Sequence, residues 1–343
     1  MKLYRGINLG GYLSQCNHEV SHYETFILEP DIRQIASWGF DHVRLPIDYM
    51  VLEQEDGTVC EAGYEYIDRI VEWCKKYHLD LVLDLHKAYG YDFNDAGKGN
   101  GNTLFTEESA KKRFVALWAK IAARYGRNSH VAFELLNEVV EKENAKLWNQ
   151  LIDRTVSAIR QITTDTLIIY GGIQWNSVKT LKLLEKPADK NIVYTFHFYE
   201  PLLFTHQKAY WVANMDPDKE IAYPQTMDYY KKESASLGYQ GEVVTKAAST
   251  QMGKPFIREM IQEAVEAAQK ADVKLYCGEF GVIDQAPFED TYRWFQDVND
   301  IFEEQKIGCC LWTYKEMDFG LLEEHYSPIR SRLLDLWVPK SSE

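Results

Sequence analysis

No extended block of Lys or Arg occurs in these 343 residues, and the formal net charge is −14. Such a chain has no electrostatic grip on phosphate-rich partners, which excludes nucleic acid and points to an uncharged substrate. No apolar run approaches the roughly 18 residues a membrane-spanning helix requires, so no membrane partner is expected. The opening residues, Met1-Lys2-Leu3-Tyr4-Arg5-Gly6-Ile7-Asn8, lack the apolar core of a signal peptide. A cytoplasmic location is therefore expected, unless a leader has been removed. Cysteine is scarce, and Cys16, Cys60, Cys74, Cys277, Cys309 and Cys310 lack metal-type spacing. They read as small buried hydrophobes in a reducing compartment. Cys309 and Cys310 are neighbours on a predicted strand, so their side chains should face opposite ways. There is no His-x-His or Glu-x-x-His pair at the predicted strand ends, and neither metal nor cofactor is expected. Nor is there any linker, repeat or low-complexity stretch. One domain spanning 1–343 is expected, as a monomer.

The chain does contain 45% hydrophobic and 26% charged residues, enough for a large core, and 9 Trp with 22 Tyr. Flat rings in that number serve packing, or they serve as platforms for the apolar faces of sugars. Apolar strand-length runs at 5–9, 42–46, 79–85, 131–136, 167–171, 192–197, 274–278 and 309–313 alternate with helical stripes at 31–38, 64–77, 109–125, 145–162, 256–271 and 291–305. Repeated βα units predict a parallel sheet, and eight of them predict a closed (β/α)8 barrel. Trp38, Trp73, Trp118 and Trp148 fall on the helical stripes and are expected in the core. One stretch breaks the rhythm. About 50 residues, 202–251, separate the sixth strand from the next helix, far beyond the roughly 2–6 of an ordinary βα loop. As a βα loop it belongs at the mouth of the barrel. Its His206, Tyr210, Trp211, Tyr223, Tyr229, Tyr230 and Tyr239 suggest an inserted lid or small subdomain walling a cleft.

The most informative residues are two glutamates. Glu138 closes Val131-Ala132-Phe133-Glu134-Leu135-Leu136-Asn137-Glu138, and Glu279 lies in Lys274-Leu275-Tyr276-Cys277-Gly278-Glu279-Phe280-Gly281. In a (β/α)8 barrel the C-terminal strand ends converge on one mouth, where the active site lies. Two carboxylates meeting there suit glycoside hydrolysis: one protonates the leaving oxygen, the other attacks or activates water. Glu134 and Glu141 flank the first site and read as structural or supporting.

The motifs Asn137-Glu138, Arg44 in His42-Val43-Arg44-Leu45-Pro46, His86 after Leu83-Asp84-Leu85, His197-Phe198-Tyr199, Gly278-Glu279-Phe280-Gly281 and Leu311-Trp312-Thr313-Tyr314-Lys315, with the opening Gly6-Ile7-Asn8-Leu9-Gly10-Gly11, together resemble glycoside hydrolase family 5, the large cellulase family. The resemblance covers nearly the whole chain and is similar to the endoglucanase C type, which carries a comparable insertion after strand six. Tyr12 stands where that type often has Trp. The resemblance implies a retaining mechanism with Glu138 as acid/base and Glu279 as nucleophile, the latter flanked by Arg44 and Tyr199. It further implies that Asn137 holds the sugar 2-hydroxyl, that His86 and His197 orient the sugar at the cleavage site, and that Trp312 forms its floor. Trp175, in Ile173-Gln174-Trp175-Asn176, would line the leaving-group side, and Trp211 could stack on a sugar further along. The implied substrate is a β-1,4- or mixed-linkage β-1,3/1,4-glucan or its oligosaccharides.

Other readings remain open on the same residues. The barrel mouth also serves exo-acting β-glucosidases and β-mannanases through loop changes. A sugar-binding protein that has lost catalysis would bind without turnover. Loss of activity with a chelator would revive a metal-dependent reading.

Overall fold

The computed structural model describes residues 1–96, 98 and 102–338; the last residues of the expected domain, 339–343, lie outside the described residues. Eight strands run in chain order: β1 (Arg5–Asn8), β2 (His42–Asp48), β3 (Asp80–Lys87), β4 (Val131–Glu134), β5 (Ile168–Gly171), β6 (Ile192–Phe198), β7 (Lys274–Phe280) and β8 (Gly308–Leu311). Each pairs in parallel with the next, and β8 closes on β1 through Gly6↔Cys310. The expected barrel is therefore present, with strands buried on both faces as parallel sheets require. Cys309 and Cys310 mark the two layers. Cys309 packs with the outer core between sheet and helices, whereas Cys310 joins Val82, Ala132, Ile169, Val193 and Tyr276 inside the barrel.

The expected helical stripes form α1 (Glu29–Ser37), α2 (Glu61–Lys76), α3 (Glu108–Tyr125), α4 (Ala145–Arg160), α5 (Lys254–Ala271) and α6 (Phe288–Gln305), with α7 (Arg330–Trp337) closing the chain. Their ends differ from the sequence pattern by a residue or a few because caps, not apolar spacing, set them. At α1 the Asp31 carboxylate accepts the Leu28 N–H at 2.8 Å, starting the helix before the stripe does. In α2 the buried row Tyr64, Ile67, Ile70, Val71 and Cys74 covers the barrel wall, each large side chain contributing about 1.5–3 kcal/mol. Of the four tryptophans expected in the core from the helical stripes, Trp118 and Trp148 are fully buried, while Trp38 and Trp73 are half-buried at the edge of the core.

Between β6 and α5 the chain is not irregular throughout. It forms short helices at Leu202–Thr205, Met227–Ser234 and Glu242–Thr245, with a 3-10 stretch at Ala235–Gly241. Tyr223 ties it to α6, its N–H on Asp290 and its hydroxyl on Asp297, both at 2.9 Å. Tyr223 and Tyr230 are core residues here, not surface rings; Tyr210, Trp211 and Tyr239 are the exposed aromatics of the segment.

Candidate active site

Arg44, on β2, is completely buried and spends all five guanidinium N–H groups on protein acceptors. Nε and Nη2 form a fork on Glu134 (2.8 and 2.9 Å). Nη1 donates to Asn8 Oδ1 (2.9 Å) and Glu279 Oε1 (2.8 Å), and Nη2 also reaches Asn137 Oδ1 at 2.8 Å. Asp84 lies 3.1 Å from Nη2. Such bidentate, planar donation is what a guanidinium offers and an ammonium does not. Burial opposes the charge on Arg44, but Asp84, Glu134 and Glu279 outweigh it and hold its pKa well above the ordinary value. Glu134, read from sequence as a supporting residue, is that support, and burial pushes its carboxyl upward against the pull of Arg44.

Glu279 is the penultimate residue of β7 and, after a register shift, sits opposite His197 of β6. Its Oε1 takes Arg44 and its Oε2 takes the Tyr199 hydroxyl at 2.9 Å. Burial, and then the charge of Glu279, hold the Tyr199 phenol well above its usual pKa, so it remains a donor. Glu138 lies beyond the end of β4, not on it: the strand stops at Glu134 and the loop carries Asn137 and Glu138 onward. Strand pairing ends there because β5 offers register partners only to Phe133 and Glu134. The Glu138 carboxylate meets His197 Nδ1 at 2.7 Å, and that nitrogen also stands 3.5 Å from Glu279. One atom each from Glu138, His197 and Glu279 fall within 4.8 Å of one another. Carboxylates and an imidazole so close could hold a cation. Here Arg44 and the Tyr199 hydroxyl already occupy both oxygens of Glu279. Burial pushes the Glu138 carboxyl up to about 7, with His86 and Arg44 offsetting part of the effect. Burial likewise pulls His197 and His86 down to about 4, leaving both imidazoles neutral at ordinary pH.

His86, on β3, is boxed in. Its Nδ1 meets Asp84 at 2.6 Å, its Nε2 meets the Gln15 amide at 3.2 Å, and its ring stacks on Trp312 at 5.8 Å and 6°. Asp84 was within reach of sequence reasoning, since residues two apart on a strand share a face. Trp312 follows β8, joined to Thr313 by a cis peptide. It lies so close over Gly10 that a Cβ there would come within 2.9 Å of the indole. Tyr12 is buried against Tyr23 and does not reach the mouth.

The other two tryptophans stand on the rim. Trp175 follows β5 in a run of left-handed residues, Gln174, Trp175 and Asn176, and donates its N–H to Val139, the neighbour of Glu138. Its ring tilts against Tyr239 from the 202–251 stretch, 6.2 Å between centroids. Trp211 is 45% exposed and is linked through His206 (6.1 Å) to Tyr199 (5.0 Å). All ten residues picked from the sequence thus gather at one end of the barrel.

Residues 7–318 match the family model described as cellulase, glycosyl hydrolase family 5. The chain is 42% identical over 339 residues to Endoglucanase C of Acetivibrio thermocellus, covering 96% of each. It is 38% identical over 307 residues to Cellodextrinase A of Ruminococcus flavefaciens, covering 89% of this chain and 84% of that one. The structure of Thermotoga maritima Cel5A in complex with cellobiose aligns with a TM-score of 0.76 at 25% identity, over 98% of this chain and 97% of that one.

Proposed function

The chain belongs to glycosyl hydrolase family 5, and from that premise we propose that it cleaves β-glucans or β-gluco-oligosaccharides by a retaining, two-step endo mechanism. Glu279 is the nucleophile and Glu138 the acid/base. The observation that carries this reading is the unequal treatment of the two carboxylates. Glu279 has the Arg44 guanidinium on one oxygen and the Tyr199 hydroxyl on the other; Glu138 has no such cation on it, and burial favours its acid form. One oxygen from each carboxylate lies within 4.8 Å of the other, which supports the short spacing of retaining enzymes over the wider one of inverting enzymes. Glu279 attacks the anomeric carbon while Glu138 gives its proton to the departing oxygen. Glu138 then takes a proton from the water that breaks the glycosyl–Glu279 ester.

Asn137, held by Arg44, is the partner of the sugar 2-hydroxyl. His197 and His86 orient the cleavage-site sugar, Trp312 is its floor, and Trp175 and Trp211 line the leaving-group side. The 202–251 segment walls that side as part of a single catalytic domain, and the protein acts as a monomer. Among the described residues no helix is long and apolar enough to cross a membrane. The names of the two relatives, an endoglucanase and a cellodextrinase, support a β-1,4- or mixed-linkage glucan or its soluble fragments as substrate.

The test is hydrolysis of cello-oligosaccharides, mixed-linkage β-glucan, mannan and aryl β-glycosides, with product lengths measured. Internal cleavage of gluco-configured chains, giving mixed oligosaccharides, is expected. Glucose as sole product would make the enzyme exo-acting, and preference for mannan would move the substrate. Sugar binding without any turnover would make it a binding protein, and activity abolished by chelator would demand a metal.

A further inference from the structure

Two buried polar atoms on β6, the Thr195 hydroxyl and His197 Nε2, have no hydrogen-bond partner among the described residues. The two residues stand two apart on the strand and so share its face. Both atoms also border one notch, left by the missing side chain of Gly278 on β7. A Cβ there would stand 2.8 Å from Thr195 Oγ1, 3.4 Å from His197 Nε2 and 3.6 Å from Glu134 Oε1. The other imidazole nitrogen decides what Nε2 needs. Nδ1 faces two carboxyl acceptors, Glu138 Oε1 at 2.7 Å and Glu279 Oε2 at 3.5 Å, so the ring proton belongs on Nδ1 and Nε2 carries a lone pair. A buried lone pair without a donor is costly. Glu134 cannot supply one, because Arg44 donates to both of its oxygens at 2.8 and 2.9 Å. Of the three atoms around the notch, only the Thr195 hydroxyl has a proton to give.

We infer that Thr195 is a positioning residue for the acid step: its hydroxyl donates to His197 Nε2 across the Gly278 notch, directly or through one water, and so keeps the ring proton on Nδ1. Oε1 of Glu138 then accepts from His197, and the proton that Glu138 delivers rides on Oε2, free for the leaving oxygen. Without the Thr195 hydroxyl, the ring proton can move to Nε2 and face Glu134. Nδ1 then becomes an acceptor and draws the Glu138 proton onto Oε1. The other charged and titratable groups around this pair are Arg44, His86, Tyr199 and Glu279, none of which the substitutions below remove.

The inference rests on the glycosidase reading above. Its test is Thr195→Val, of the same shape, beside Thr195→Ser, which keeps the hydroxyl. On cello-oligosaccharides, whose departure needs a proton, kcat/KM of the valine variant should fall about tenfold, the worth of one hydrogen bond. On an aryl cellobioside with an acidic phenol it should change less than about twofold. The basic limb of the pH profile should move upward by about half a unit, because the Glu138 anion loses its donor. The serine variant should restore both. Equal losses on the two substrates, an unmoved limb, or a serine variant no better than valine would overturn the assignment. If the valine variant melts early, nitrogen NMR of histidine-labelled wild-type protein decides, with His197 assigned by its loss in His197→Asn. A protonated Nδ1 and an unprotonated, hydrogen-bonded Nε2 are expected; a protonated or unbonded Nε2 would refute the role. A wild-type protein with that ring state that cleaves neither substrate would instead sink the glycosidase reading.

Discussion

His197 Nδ1 stands 2.7 Å from Glu138 and 3.5 Å from Glu279, so one imidazole spans the gap between the two carboxylates. Because burial keeps that ring neutral, it supplies no charge to either and serves to fix the distance between them. A gap set by a single ring suits direct attack by Glu279. The first product released from a β-linked substrate should accordingly be the β-anomer, and proton NMR of early hydrolysis reads it directly. Initial α-anomer would rule out the double displacement.

The two glutamates should fail differently on substitution. Glu279→Ala should abolish hydrolysis of every substrate, because nothing else at the mouth can form the covalent intermediate. Glu138→Ala should damage natural glycans at least a hundredfold more than glycosides of acidic phenols, which depart without a proton. Azide added to that variant should restore part of the rate and yield a β-glycosyl azide. A loss that is uniform across leaving groups would reverse the assignment.

How far the sequence foretold this site depends on how local the determining force was. Arg44, His86 and His197 were legible because barrel strands bring their C-terminal ends to one place and alternation fixes the facing side. Glu138 was legible in place but not in conformation, since apolar Leu135 and Leu136 extend the strand pattern past the point where β5 stops pairing. Tyr223 and Tyr230 resembled cleft aromatics until the bonds of Tyr223 to α6 and the burial of both rings were visible; tertiary contacts across dozens of residues leave no local trace. Gln15 carried no signal at all: its contact with His86 depends on a left-handed backbone and on Asp48, 33 positions away.

The pH profile of kcat/KM should have a basic limb near 7, because Glu138 must be protonated when the leaving group departs and burial holds its pKa at about that value. The sign is fixed: a raised carboxyl pKa keeps the acid form below 7, and activity falls as pH rises through it. With His86 and His197 near 4, neither histidine should add a limb between about 5 and 7. Glu138→Gln, assayed on an activated aryl glycoside, should lose the basic limb. A limb unchanged in that variant would place the titrating group elsewhere.

The 202–251 segment should govern which chain lengths fit, not the bond-breaking step. Trp211 is its most exposed indole and connects through His206 to Tyr199, which puts a flat ring at the rim some distance from Glu279. Stacking on one sugar there is worth about 1 kcal/mol or slightly more. Trp211→Ala should therefore raise KM for tetrasaccharides and longer chains about fivefold to tenfold. Small aryl glycosides, which fill only the cleavage-site pocket, should keep nearly normal kcat. Matching melting temperatures for variant and wild type would first establish that the segment still folds, as its anchorage through Tyr223 to Asp290 and Asp297 implies it will. Equal effects on short and long substrates, or none on either, would assign Trp211 to packing and leave the cleft wall to Trp175 and Tyr239.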